Sequence, residues 1–420
     1  MARMSYLSGI SIMITLCASV LAMDMDMDSE EEFPRPNIVA AGSKTFHYLL
    51  TMFFLLLLPG LSTVFAFVHK IHSVVSFQFL VMCYSILDAV FLRFPDGDGV
   101  ENRVSRGTAW FLMGYSILSF WLALCAIKTA NNSKWHGYLG GLLLAQTVAG
   151  WMKCCMAPVA LFGFCREIHT GQCLAHGLMG TAFVLYGFVY TLVLVVPKIA
   201  RADYSQDYVD SWVMCIWGIF NTFTEHRWGR EPWNHGDYQH TAMGIIWACG
   251  GFLGILLGRN KKRTFIPSLL IIFTGWAMSQ HAQHLAISTK IHFLFGLILM
   301  VGGACRIVEI SFILKDSNVV NEIQSFQYLA PFCLTCAGIL FMGANEEQLI
   351  LVLRLEADHS SYGLIVISAA FMVYLWMLLC LKLYVRLNLK NENGFMKSYE
   401  NVDFELDDMV ESESHTQNST

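Results

Sequence analysis

Long runs of about 20 apolar residues recur down this chain. At about 1.5 Å rise per residue, such a run spans the roughly 30 Å hydrocarbon layer of a bilayer. The runs are continuous, neither alternating nor short and amphipathic, so each is expected to be a helix that satisfies its own backbone inside lipid. We read spans at 45–68, 74–93, 107–127, 135–163, 175–196, 211–224, 241–258, 265–281, 291–314, 327–343 and 362–386. The expected fold class is therefore all-α: a polytopic integral membrane protein of about eleven transmembrane helices.

Composition excludes the main alternatives. Hydrophobic residues are 55% of the 420 and charged residues 14%, against roughly 25% charge in a soluble domain. Such a chain cannot cover itself with a water-facing surface, and the lipid bilayer is its first partner. A formal net charge of −5 with scattered basic residues argues against nucleic acid. Most of the 13 Cys fall inside apolar runs, where Cys acts as a small hydrophobe. Cys165 and Cys173 sit instead in a polar loop and could pair.

The N-terminus reads as a signal peptide over 1–22. Arg3 precedes the apolar stretch Ile10 to Leu21, and Val20, Leu21 and Ala22 supply a small-residue cleavage site. An acidic exoplasmic leader would follow over 23–44. A membrane domain of four helices is expected over 45–163 and one of seven over 175–386, with a polar, acidic, disordered cytosolic tail over 387–420. Starting outside, the loops alternate so that Arg259, Lys261, Lys262 and Arg263 lie in the cytosol with Lys382, Arg386, Lys390 and Lys397. Glu346, Glu347, Glu356 and Asp358 fall outside. That sorting obeys the excess of Lys and Arg on cytoplasmic loops. It puts the sequons at Asn131 and Asn418 in the cytosol, unglycosylated. The expected location is the secretory pathway, endomembranes or the plasma membrane, with the N-terminus exoplasmic and the C-terminus cytosolic.

Imidazole and charged side chains at membrane depth are costly, so their clustering needs a reason. Glu225-His226-Arg227-Trp228 is followed by His235-Gly236-Asp237-Tyr238-Gln239-His240, and later come Gln280-His281-Ala282-Gln283-His284, Lys290 and His292. The expected topology puts both groups on the exoplasmic face. A zinc or iron centre needs three or four donors converging at about 2.0–2.2 Å. His226, His235, His240, His281, His284 and His292 supply nitrogens, and Glu225 and Asp237 are candidate ligands, orienting groups or acid/base. The plainer alternative is interfacial imidazoles hydrogen-bonded to headgroups or to one another.

A second set stands near span starts: His47, His72 with Gln78, His136 with Gly140 and Gln146, and His176 with Gly180. By topology His47 and His176 share the outer side and His72 and His136 the inner side. One facing pair per leaflet is what two stacked b-type haems need. Through its His-x-x-x-Gly and Gln features the four-helix half resembles the transmembrane two-haem ascorbate and ferric reductases. It departs from them at 107–127, which carries no His. Met23, Asp24, Met25, Asp26, Met27 and Asp28 read as an acidic leader or a Cu(I) lure. Cys333 and Cys336 read as packing residues more readily than as a redox pair.

From His176 to Arg386 the chain resembles the fungal Ytp-one-like membrane proteins. It resembles more distantly the animal and plant transmembrane family numbered forty-five. Ala175-His176-Gly177-Leu178, Glu225-His226-Arg227-Trp228 with His240-Thr241-Ala242-Met243, and Gln280 to His284 with His292 carry this resemblance. The N-terminal half resembles the domain that accompanies this region in the fungal family. The resemblance implies a multi-pass membrane protein without an established activity. Whether the chain is an enzyme stays open. The readings are an exoplasmic His/acid metal site, a b-type haem electron carrier, a divalent-metal transporter or sensor, and a structural membrane protein.

Overall fold

Each apolar run meets the condition for a helix in lipid, and each falls on helix in the structure. The structure, a computed structural model, describes residues 41–92, 103–128, 133–165, 169–196, 199, 204–224, 226, 232–233, 235–260, 262–281, 283–314 and 323–391. The expected signal peptide, most of the leader, the sequons at Asn131 and Asn418, and the chain beyond 391 lie outside these residues. The described residues all fall in one compact unit. The described elements are all helical, with no strand among them.

In the N-terminal half, α1 (Ala41–Thr51) runs through a π-helical turn, Met52–Leu57, into α2 (Leu58–Phe67). Next come α3 (Ile71–Ile86) with a second π turn, Leu87–Phe91, then α4 (Arg103–Lys128) and α5 (Ser133–Cys155). The run expected over 135–163 breaks at Met156, because Pro158 opens the separate short helix α6 (Ala157–Phe162). In the C-terminal half follow α7 (Thr170–Val195), α8 (Gln206–Thr224), α9 (His235–Leu257) and α10 (Ile266–Ser279). Then come α11 (Ala286–Val308) with a third π turn, Glu309–Leu314, a 3-10 turn Ser325–Tyr328, α12 (Leu329–Gly343), α13 (Glu346–Arg354) and α14 (His359–Asn391).

Nine helical stretches among the described residues are long and apolar enough to cross a membrane. Two of the eleven segments fall outside that set for physical reasons. Asp207 and Asp210 charge the first turns of α8. The 14 residues of α10 reach only about 21 Å at 1.5 Å per residue.

Lipid offers no hydrophobic drive between helices, so close association rests on small residues that let backbones meet. A Cβ on Gly338 of α12 would stand 2.5 Å from the Gly180 carbonyl oxygen of α7. One on Gly275 of α10 would stand 2.5 Å from the Gly296 carbonyl of α11, and one on Gly244 of α9 would stand 2.7 Å from the Thr222 nitrogen of α8. These pairs leave no room for a side chain. Phe183, Phe295, Leu299, Ala337 and Leu340 fill the core of the C-terminal half. The N-terminal half has its own core, with Leu55, Leu58, Val81, Tyr84 and Leu112 in one group and Ala66, Val74, Ala123 and Leu143 in another. The halves meet at α14, where Trp376 lies against Gly60 and Tyr384 stands edge-on to Phe67. A hydrogen bond from Trp151 Nε1 to Thr181 Oγ1, 3.3 Å, also joins them.

Candidate functional site

Alternation of helix direction brings one end each of α7, α9, α10 and α11 together. His176 lies in the second turn of α7, His240 in the second turn of α9 and His292 in the second turn of α11, while His281 follows the end of α10. Their rings form a chain. The centroids of His240 and His281 are 5.3 Å apart, those of His281 and His292 6.2 Å, and those of His292 and His176 5.9 Å. The His176 ring stacks on Phe341 at 4.6 Å, and Phe341 lies 4.9 Å from Phe295 at the edge of the apolar core. The site thus sits where the polar helix ends give way to a dry interior.

Hydrogen bonds decide which nitrogen each ring turns towards its neighbours. A carbonyl can only accept, so His176 Nδ1 donates to the Gln172 carbonyl at 2.8 Å. His292 Nδ1 likewise donates to the Ser288 carbonyl at 2.9 Å. Gln239 Nε2 donates to the Ala277 carbonyl at 2.8 Å, which turns its Oε1 towards His281 Nδ1. In all three imidazoles the proton sits on Nδ1 and the basic lone pair on Nε2. His176 Nε2 is buried and has no hydrogen-bond partner. Anchoring Nδ1 in this way is how proteins hold a histidine for a metal ion. As placed, no three His, Cys, Asp or Glu side chains among the described residues make a group that would hold one.

The sequence-derived site divides. His240, His281 and His292 come together, and His176, which sequence reasoning grouped with His47, joins them. His226 stands apart, with Nδ1 3.1 Å from Asp237 Oδ2 and its ring stacked on Trp233 at 4.0 Å. His284 is exposed. Glu225 and the side chain of His235 lie outside the described residues.

The expected haem pairs do not face one another. His47 is engaged within the N-terminal half by Asp88 and Tyr84, whereas His176 belongs to the ring chain of the C-terminal half. His72 is exposed, and His136 is buried edge-on to His69 at 4.7 Å. Cys165 and Cys173 form a disulfide. Cys333 and Cys336 are buried in the apolar core of α12.

Sequence reasoning passed over two buried ionic groups. One is Asp88 with His47 and Lys153; the other is Arg306 with Asp207 and Glu309. Their signal was present, since each places charge inside an apolar run.

Residues 149–385 match the family described as "Protein YTP1-like, C-terminal". Protein YTP1 of Saccharomyces cerevisiae is 58% identical over 410 residues, covering 92% of this chain and 89% of that protein. An uncharacterised membrane protein of Schizosaccharomyces pombe is 27% identical over 287 residues, 56% of this chain and 55% of that protein. A second uncharacterised membrane protein of Saccharomyces cerevisiae is 26% identical over 172 residues, 35% of this chain and 27% of that protein. No solved structure matches the chain.

Proposed function

The chain belongs to the family of YTP1-like membrane proteins, and from that premise we propose that its C-terminal half binds a transition-metal ion of the zinc class. The ligands would be Nε2 of His176, His281 and His292, with His240 closing the set on the exoplasmic side. The observation that carries this reading is the shared orientation of three imidazoles, each with Nδ1 tied to a carbonyl or amide oxygen, and the unpartnered, buried Nε2 of His176.

Neutral imidazole suits zinc, copper, nickel and iron, and suits magnesium or calcium poorly. Imidazoles sharing one zinc ion at about 2.0–2.1 Å hold their ring centres about 5 Å apart. For the neighbouring rings of His281 and His292, binding therefore asks for closure by about 1 Å. Such a site, at the ends of four helices and against an apolar core, suits a carrier or sensor of the ion. No reaction is assigned to it.

The test is calorimetric titration of the purified, detergent-solubilised protein with zinc chloride, beside elemental analysis. About one equivalent is expected, lost in the H281A/H292A double variant and kept in H226A. Folded wild-type protein that takes up no zinc, or a double variant that binds like wild type, would overturn the reading.

A further inference from the structure

In the N-terminal half α2, α3, α4 and α5 pack in a ring, each against the next. The buried stripe of α4 runs through Ala109, Leu112, Ser116, Ser119, Ala123 and Ala126, the steps of three and four that keep one helix face on its neighbours. The stripe of α3 runs through Val74, Gln78 and Val81, and that of α5 through Leu143 and Gln146. Two apolar groups bracket the polar members. One holds Ala66, Val74, Ala123 and Leu143; the other holds Leu58, Val81 and Leu112, with Ala149 against it. Ser62 in α2, Gln78 in α3, Ser116 and Ser119 in α4 and Gln146 in α5 all stand between these groups, so they share one level. That level lies near the middle of the spans Ile71–Phe91, Arg106–Lys128 and Lys134–Phe162.

Gln78, Ser116 and Ser119 are 0% exposed and Gln146 is 1% exposed. Gln146 Nε2 donates to Ser116 Oγ at 3.0 Å, which ties α5 to α4. Among the described residues, Gln78 Oε1, Gln78 Nε2, Ser119 Oγ and Gln146 Oε1 have no hydrogen-bond partner. Turning the Gln78 amide over changes nothing, because both of its ends are unpartnered. Ser62, Thr63 and Thr147 each donate to the carbonyl four residues back in their own helix, the common resort of a hydroxyl within a helix. Ser119 does not. Unpaired amide and hydroxyl groups are costly in a dry interior, and here they converge from three helices.

The chemistry of these atoms selects what binds them. Gln78 Nε2 needs an acceptor, and the amide oxygens of Gln78 and Gln146 need donors. A cation serves only acceptors and an anion only donors, and the side chains of the layer carry no charge to balance either. The ligand is therefore neutral, and it both donates and accepts. It is also small, because leucine, valine and alanine close the layer on both faces. Water is the smallest molecule of that kind, and a buried water commonly makes about three hydrogen bonds to such groups.

We propose that the N-terminal half binds water at mid-membrane depth, between Gln78 of α3, Ser119 of α4 and Gln146 of α5. Water that accepts from Gln78 Nε2 and donates to Gln146 Oε1 bridges α3 and α5, as the direct bond from Gln146 to Ser116 joins α5 and α4. Ser119 and Gln78 Oε1 complete the set on the side of α4. The site is separate from the histidine chain and does not depend on metal binding there.

The test is a density map of the full chain in lipid, fine enough to show ordered water. Density for water within hydrogen-bond reach of Gln78 and of Ser119 or Gln146 is expected. A dry layer in which the Gln78 amide bonds directly to protein would overturn the proposal, as would an ion or a larger molecule at that level. A double-mutant cycle puts the same question without a map. Q78M keeps the length of the side chain and removes both polar ends, and S119A removes the hydroxyl. Shared water couples them, so each variant should lower the thermal midpoint, and Q78M/S119A should fall by less than the sum. In a dry layer Q78M only removes an unpaired amide, so the midpoint rises. A midpoint raised in Q78M, or two shifts that simply add, refutes the site.

Discussion

Arg306 Nη2 stands 2.8 Å from Asp207 Oδ1 across 99 residues of sequence, so one guanidinium ties the end of α11 to the start of α8. Its Nη1 donates to Glu309 Oε2 at 2.7 Å, and the same oxygen accepts the Tyr190 hydroxyl of α7 at 2.8 Å. Glu309 Oε1 accepts Gln327 Nε2 at 2.9 Å, from the 3-10 turn that leads into α12. Arg263 Nη1 approaches Asp207 Oδ2 at 3.6 Å. The guanidinium rests over the Tyr190 ring, 4.8 Å from its centroid. Two guanidinium cations thus meet two carboxylates in a buried group that fastens α7, α8, α11 and the approach to α12 at one end.

Truncating Arg306 would leave Asp207 and Glu309 buried without their main counter-charge. Breaking a buried pair from one side costs about 3–5 kcal/mol, so R306A should lower the thermal midpoint in detergent sharply. R306K keeps the charge but loses the fork that reaches both carboxylates, and should fall between. R306A unfolding at the wild-type temperature would remove the fastening role.

The close glycine contacts make a second, sharper contrast. Gly338 has the Gly180 carbonyl where a Cβ would go, whereas nothing lies within 4 Å of a Cβ at Gly141. G338A should destabilise, by about 1–3 kcal/mol as overpacking does, and should loosen α12 from α7. G141A removes a helix-interior glycine without a clash and should be neutral or stabilising by up to about 1 kcal/mol. Comparing the two thermal midpoints in one detergent checks both.

Much of this architecture was legible because lipid allows so few solutions. An uncharged run of about 20 residues can only be a helix, and the eleven runs all fall on helices. Two of the runs read as spans, 211–224 and 265–281, fall on helices that are not both long and apolar enough to be counted as crossings: Asp207 and Asp210 charge the start of one, and the other has 14 residues. The site was only half legible. His240, His281 and His292 sit close in sequence to one another's helix ends, so topology groups them. His176 joins them only because Gly180 and Gly338 let α7 lie against α12, whose Phe341 stacks on its ring. No spacing rule predicts that contact. The same is true of Asp88 and Lys153, or Asp207 and Arg306, where the chain displays the charges but not their pairing.

At the start of α14, Asp358 accepts from the Ser360 and Ser361 amides at 3.2 Å each. Hydrogen bonds from Ser361, with smaller help from Ser360, hold its carboxyl below the ordinary carboxylate value. A group depressed on folding stabilises above its unfolded value, about 3.9, and loses that contribution as pH falls through the folded value. The cap should therefore be intact at neutral pH and fail only in acid. In D358A, hydrogen exchange at the Ser360 and Ser361 amides should speed up at neutral pH. Acidifying wild type should bring its exchange pattern, corrected for intrinsic rate, towards that of the variant. Identical exchange in both proteins at neutral pH would refute the cap.

The Cys165–Cys173 disulfide closes a loop of eight residues' separation between α6 and α7. The Cys165 amide donates to Glu347 Oε2 of α13 at 2.7 Å, and Thr170 Oγ1 donates to the Cys165 carbonyl at 3.1 Å. Asn345 caps α13 by accepting from the Glu347 amide at 2.9 Å, and the Cys165 contact to Glu347 ties that helix start to the loop. For so short a loop the entropic contribution is about 2–3 kcal/mol. Reduction, or the C165S/C173S double variant, should lower the thermal midpoint and raise hydrogen exchange over 345–354 while leaving α1 to α5 unchanged. Thiol labelling of unreduced, denatured protein checks the premise, since two of the 13 Cys should resist modification until reductant is added. If both label without reductant, the link is absent. If they resist but reduction leaves α13 as protected as before, the loop does not hold that helix.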